Sequence, residues 1–246
     1  MALPLVDTIT DRGATSDVHA LLLRGVVKEY AGGVRALAGV DLAIDPGELL
    51  AIVGPSGSGK TTLLQIMGTL DRPTTGDVQF DGRDVAVASD EELSALRAHR
   101  IGFVFQQFYL IDGIAAVDNV ANGMLYTGLP VGERRERARI ALQRVGLGHR
   151  LEHRANQMSG GERQRTAIAR AIAGRPAVVF ADEPTGNLDS RTGAEIVDLL
   201  RELNADGSTL VVITHDTELA RSFPRQVHMR DGEIVSDILA PPAVGT

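Results

Sequence analysis

Residues Gly54–Thr62 read Gly-Pro-Ser-Gly-Ser-Gly-Lys-Thr-Thr, with Gly54, Gly59, Lys60 and Thr61 at the spacing of a phosphate-binding loop. Glycines at this density let successive backbone N–H groups turn inward on a polyphosphate, and a helix opening near Lys60 adds the positive end of its dipole. Pro55, Ser56, Gly57, Ser58 and Thr62 complete the candidate cradle. Lys60 supplies a mobile point charge for the outer phosphates, and the Thr61 hydroxyl is suited to a magnesium ion. The loop alone specifies a nucleoside triphosphate site and nothing narrower.

Two further stretches narrow it. Val178–Asp189 runs four apolar residues into Asp182-Glu183-Pro184, which puts two carboxylates where a buried strand ends, the edge at which open α/β sheets bind ligands. A turn before Pro184 is the plainer explanation. With a phosphate loop upstream, the chemical one divides the pair: Asp182 for the magnesium shell, Glu183 to polarise the water that attacks a γ-phosphate. Met158–Arg165 contains Ser159-Gly160-Gly161-Glu162, whose spacing is that of a helix capping box. Two adjacent glycines are costly at a helix start unless something must come close. Bare N–H groups there suit a second anion, and hence a nucleotide gripped from two sides.

The elements around these motifs suggest an α/β chain. Leu21–Tyr30 and Val34–Ile44 have the pattern of antiparallel strands, with a turn at Asp45-Pro46-Gly47. Unbroken apolar runs at Leu49–Val53, Ile101–Phe105, Val178–Ala181 and Leu210–Ile213 fit a parallel sheet buried on both faces. Helices are expected over Thr61–Leu70, Asp90–His99, Glu133–Val145 and Arg191–Asn204, and a helical lobe from about Gln107 to Met158. Residues 1–20 read as a flexible extension and 237–246 as a tail.

Composition sets outer limits. The chain has 246 residues, no cysteine and a net charge of −7, which fits a reducing compartment and argues against nucleic acid as a partner. Its only lysines are Lys28 and Lys60. No apolar run approaches the ~18 residues of a membrane span, and the first residues lack the pattern of a secretion signal. Five of the six histidines show no metal-ligand spacing, and Arg134, Arg135, Arg137 and Arg139 read as the solvated face of a helix.

Taken together, the three motifs resemble those of the ATP-binding-cassette ATPases over nearly everything from Leu21 to Ser236. The resemblance implies a P-loop, RecA-like core with an antiparallel β subdomain and an inserted α-helical lobe. It also implies ATP with Mg2+ and a head-to-tail dimer in which Ser159, Gly160, Gly161 and Glu162 meet the nucleotide of a second copy. Residue by residue, it implies that Gln106 links magnesium and water to the lobe, and that His215 reaches the γ-phosphate. It further implies that Asp189 couples the two sites and that Tyr30 stacks on adenine. Where the family's signature begins with leucine and ends with glutamine, this chain has Met158 and Glu162. The stretches Leu70–Gly76, Ile101–Phe108 and Asp182–Asp189 resemble the macrolide-exporter, lipoprotein-releasing and cell-division branch. That implies a subunit on the cytoplasmic face of the membrane working with an integral permease, either exporting a lipophilic compound, drug or lipoprotein, or signalling across the membrane without moving a substrate. Tyr109–Gly113 and Ala155 depart from the branch where its lobe meets the permease.

Overall fold

The computed structural model describes residues 19–239. The extension expected over 1–20 lies outside the described residues except for its last two, and Ala20 is already buried. Strands β1 (Leu21–Tyr30) and β2 (Val34–Ile44) form an antiparallel pair, joined in the order β2-β1-β4-β5 by β4 (Thr75–Phe80) and β5 (Arg83–Asp84). The second sheet begins with β3 (Leu49–Val53), after which α1 (Lys60–Met67) leaves the phosphate loop. Helix α2 (Asp90–Arg100) leads into β6 (Ile101–Val104). The lobe follows with α3 (Ala116–Asn122), α4 (Val131–Arg144) and a 3-10 turn at Ala155–Gln157, tied by a bridge between Ala115 and Arg154. Then come α5 (Gly160–Ile172), β7 (Val178–Asp182), α6 (Ser190–Ala205), β8 (Thr209–Thr214), α7 (Thr217–Arg221), β9 (Arg225–Arg230) and β10 (Glu233–Leu239).

The second sheet has the order β10-β9-β3-β8-β7-β6, parallel from β9 to β6 with β10 antiparallel at one edge. Every residue of β3 and β8 is buried, as their unbroken apolar runs require of central strands. Strand alternation then divides the interior in two. Leu50 and Ile52 face α1 and the antiparallel sheet, whereas Leu49, Ala51 and Val53 face the helical side with α5 and α6.

Several elements differ from expectation. The first helix stops at Met67 instead of Leu70, because Gly68 caps it and the N–H groups of Leu70 and Asp71 turn back to the carbonyl of Gln65. The strand expected to reach Phe105 ends at Val104. Strands β4, β5, β9 and β10 and helix α7 were not anticipated, and α3 falls within the expected helical lobe; in β4 only Val78 and Phe80 are buried, too few to stand out as a pattern. The tail expected from 237 instead continues β10 to Leu239. Asp237 holds it there through a paired contact with Arg225, at 2.9 and 2.6 Å, while Arg225 also binds Glu48.

Candidate active site

Four parallel strands present their carboxyl ends along one edge, and each sends a chemical residue past it. The phosphate loop follows β3, Gln106 follows β6, Asp182 ends β7 with Glu183 next after it, and His215 follows β8. Together they line a cleft of about 430 Å³ with Ser56, Gly57, Gly59, Lys60, Thr61 and Thr62; Ala36 and Ile213 supply apolar wall. This is the place at which an α/β sheet binds a ligand.

The loop is shaped from behind by the β9–β10 hairpin. A Cβ on Gly54 would stand 2.4 Å from the Met229 carbonyl oxygen and 2.6 Å from Ser58 Oγ. Gly59 combines a left-handed backbone (φ 98°) with the Ala36 oxygen 2.5 Å from where its Cβ would be. Gly232 at the hairpin turn donates its N–H to the Ser58 carbonyl and accepts from Ala38, clamping loop, hairpin and β2 together. Gly54→Ala is therefore expected to destabilise the fold by about 1–3 kcal/mol through overpacking. It should also weaken nucleotide binding; thermal melting and nucleotide titration check both, and an unchanged pair of values would contradict the clamp.

Lys60 is buried at 9% exposure, and its ammonium donates to the carbonyls of Gly54 (2.7 Å) and Pro55 (2.9 Å). Burial pulls its pKa down, while the Glu183 and Asp182 carboxylates pull it back up. Burial pushes Asp182 up, helped by the negative Glu183 beside it and opposed by Lys60. A carboxylate in that setting gains from a nearby cation. Thr61, Asp182 and Gln106 offer only oxygen donors toward such an ion, the hard set that magnesium takes.

Glu183 sits in the left-handed region (φ 46°), with its N–H extending the β7 ladder to the Ile213 carbonyl. Its Oε1 accepts from the His215 N–H at 2.9 Å and faces His215 Nδ1 at 2.6 Å. A carboxylate only accepts, so Nδ1 carries the proton in this contact. Its Oε2 accepts from the Thr214 hydroxyl at 3.1 Å. Gln106 is fixed by Asn187, whose amide donates to the Gln106 carbonyl at 2.8 Å. Neither Thr214 nor Asn187 was anticipated. Thr214 offered one signal, as a buried hydroxyl beside the histidine.

Ser159, Gly160, Gly161, Glu162, Asp189 and Tyr30 are not among the residues lining this cleft. The capping box at α5 is formed: the Glu162 N–H donates to Ser159 Oγ at 3.2 Å, and the Ser159 N–H donates to Glu162 Oε2 at 2.8 Å. The Ser159 N–H and the Arg150 guanidinium hold the Glu162 carboxyl below its usual range. Arg150 pairs with Glu162 at 2.8 Å, so the charge brought by glutamate in place of glutamine is balanced within the chain. Part of the glycine pair has an internal cause as well. A Cβ on Gly161 would stand 2.6 Å from Thr192 Cγ2, so α5 and α6 could not approach as they do. The Cβ of Gly160 would meet only Leu188, at 3.3 Å. Asp189 caps α6, accepting from the Thr192 N–H at 3.0 Å. Tyr30 ends β1, 39% exposed, donates its hydroxyl to Asp71 at 3.2 Å and lies beneath the Lys28 ammonium.

A parallel sheet with a glycine-rich loop after one strand and an Asp-Glu pair after another defines a P-loop nucleoside triphosphatase. The family model described as "ABC transporter" matches residues 37–186. The chain belongs to the ABC transporter family and is one of its ATPase cassettes. It is 50% identical over 228 residues to the macrolide export ATP-binding/permease protein MacB of Nitrosomonas europaea, covering 91% of this chain and 35% of that one. It is 51% identical over 201 residues to an uncharacterized ABC transporter ATP-binding protein of Thermotoga maritima, covering 82% and 86%. The chain thus spans about a third of the length of the macrolide-export relatives. Among solved structures it resembles the dimeric cassette MJ0796, with a TM-score of 0.80 and 43% identity over 89% of this chain and 98% of that one. The same cassette in a post-hydrolysis state bound to ADP and Pi gives 0.79 at the same identity and coverage.

Proposed function

We propose that this cassette powers an export permease by closing on ATP against a second copy, with Glu183 as the base that activates water. The observation that carries the reading is a division of labour. Lys60, Thr61, Gln106, Asp182, Glu183 and His215 converge on one cleft, while a second anion-suited helix end, at Ser159–Gly161, lies outside it. One chain therefore grips a triphosphate from one side, and the helix end of a second copy supplies the other. In this reading ATP lies along the phosphate loop, Tyr30 stacks on adenine, and Asp189 joins the two halves.

Thr61, Asp182 and Gln106 would hold Mg2+. When bound, the ion neutralises charge on the transferring phosphoryl group. Lys60 turns its ammonium from the loop carbonyls to the outer phosphates, and the His215 ring reaches the γ-phosphate. Glu183 takes the proton of the attacking water.

Among the described residues no helix is long and apolar enough to cross a membrane. The macrolide-export relatives carry both an ATP-binding part and a permease in their names, and this chain matches only a third of their length. We assign the permease role to a separate partner chain or a further region, with the cassette on the cytoplasmic face. A groove of about 350 Å³ between the sheet edge and the lobe supports this assignment. Phe103, Phe105 and Tyr109 line it in a chain of ring contacts, beside Arg97 and Arg170. Export of a lipophilic compound, a drug or a lipoprotein is the cargo class we favour.

The second-copy reading is tested by Ser159→Arg in a Glu183→Gln background, with mass followed by light scattering in Mg-ATP. The arginine costs about 1 kcal/mol of helix cap, so the monomer stays folded. Its bulk should abolish the ATP-dependent doubling of mass. A dimer that persists would show that α5 does not face the partner's nucleotide.

A further inference from the structure

The hydroxyl of Thr214 has no part in the roles assigned above, yet it touches the residue on which hydrolysis is proposed to turn. Thr214 ends β8, is fully buried at 0% exposure, and pairs with Val53 immediately before the phosphate loop. Its Oγ1 accepts the Asp216 N–H at 3.0 Å and contacts Glu183 Oε2 at 3.1 Å. The Asp216 amide can only donate. The single hydroxyl proton is therefore directed at the carboxylate, its one acceptor among the described residues.

Glu183 has three donors, and they are unequal. The Thr214 hydroxyl and the His215 N–H belong to the rigid end of a central strand. The third donor is the His215 ring, 69% exposed and on a side chain able to swing. Once that ring leaves Oε1 for a nucleotide, only the two fixed donors hold the carboxylate. Without the hydroxyl, one backbone N–H on one oxygen would remain, and rotation about the terminal bond of a glutamate is soft. The left-handed backbone of Glu183 sets where the side chain starts but not where its carboxylate points.

We infer that Thr214 is a positioning residue for ATP hydrolysis: its buried hydroxyl holds Glu183 Oε2 so that the base keeps its aim after the His215 ring departs. This rests on the reading of Glu183 as the base. A misaimed base slows the chemical step and leaves nucleotide affinity alone, so the loss falls on kcat and not on KM.

The test compares Thr214→Val, which keeps the shape and removes the donor, with Thr214→Ser, which keeps the donor, each in the full chain with any partner it requires. The valine variant should lower kcat about 10-fold with KM for ATP within about 2-fold. Serine should restore the rate to within about 3-fold, and Thr214→Cys, a weaker donor, should fall between them and serve if the valine chain does not fold. In single-turnover measurements on a Glu183→Gln background, valine should cause no further loss. Wild-type kcat in the valine variant would overturn the inference, as would an equal proportional loss with and without the Glu183 carboxylate. Normal turnover in Glu183→Gln itself would instead remove the base assignment, whatever Thr214 does.

Discussion

Glu183→Gln is expected to lower ATP turnover by two to four orders of magnitude (about 10²–10⁴-fold) while leaving ATP binding near its wild-type value. The amide is nearly isosteric with the carboxylate but cannot take a proton from water. The surroundings accept it with no more than a turn of the Thr214 hydroxyl proton. Its oxygen can keep the two His215 donors that now meet Oε1, and its NH2 can face Thr214 Oγ1, which retains a free lone pair. The left-handed backbone at this position costs glutamine what it costs glutamate. With chemistry stopped and binding intact, ATP should accumulate in a closed dimer. Phosphate release with Mg-ATP measures the first effect and light scattering the second. Normal phosphate release would move the base to another residue.

Lys60→Ala is expected to weaken ATP binding roughly 100-fold, about 2.8 kcal/mol, the scale for removing one partner of a buried charge pair. No other lysine can replace it, since the second, Lys28, is engaged with Asp71 at 2.6 Å. The loop also loses an internal tie, because the Lys60 ammonium bridges the Gly54 and Pro55 carbonyls. Asp182 and Glu183 would then face the triphosphate without the one nearby ammonium that offsets them. Calorimetric titration with ATP and Mg2+ reads the change directly. An affinity within a few-fold of wild type would mean the loop carries the nucleotide by backbone N–H groups alone. The two substitutions separate two faults: one chain binds and does not cleave, the other does not bind.

The α5 glycines show how one sequence pattern can have more than one cause. Their adjacency was read as room for an approaching phosphate, and Gly161 has a nearer neighbour in Thr192 of the same chain. Gly160 keeps most of its space, so the proposed contact with a second copy rests on Gly160 and Ser159 more than on the pair. Glu162 shows the converse. Where the family's signature ends in glutamine, its added charge is met by Arg150 of the same chain, a partner twelve residues away that the motif does not show.

What the sequence determined by itself was the motifs built from neighbours along the chain. The phosphate loop, the Asp182-Glu183 pair and the Ser159–Glu162 cap depend on backbone N–H groups and side chains a few residues apart, so their spacing carries their geometry. The buried runs of β3, β7 and β8 were legible for a related reason: a strand covered on both faces has no polar side to show. Only the tertiary structure decided which distant groups meet. Met229 and Gly232 close behind the phosphate loop, Arg225 ties Glu48 to Asp237, and Thr214 comes up beneath Glu183 because β7 and β8 pair in register. Such contacts follow from burial and sheet pairing between segments far apart in the chain. No local spacing encodes them, because the free energy that selects them belongs to the packed interior as a whole.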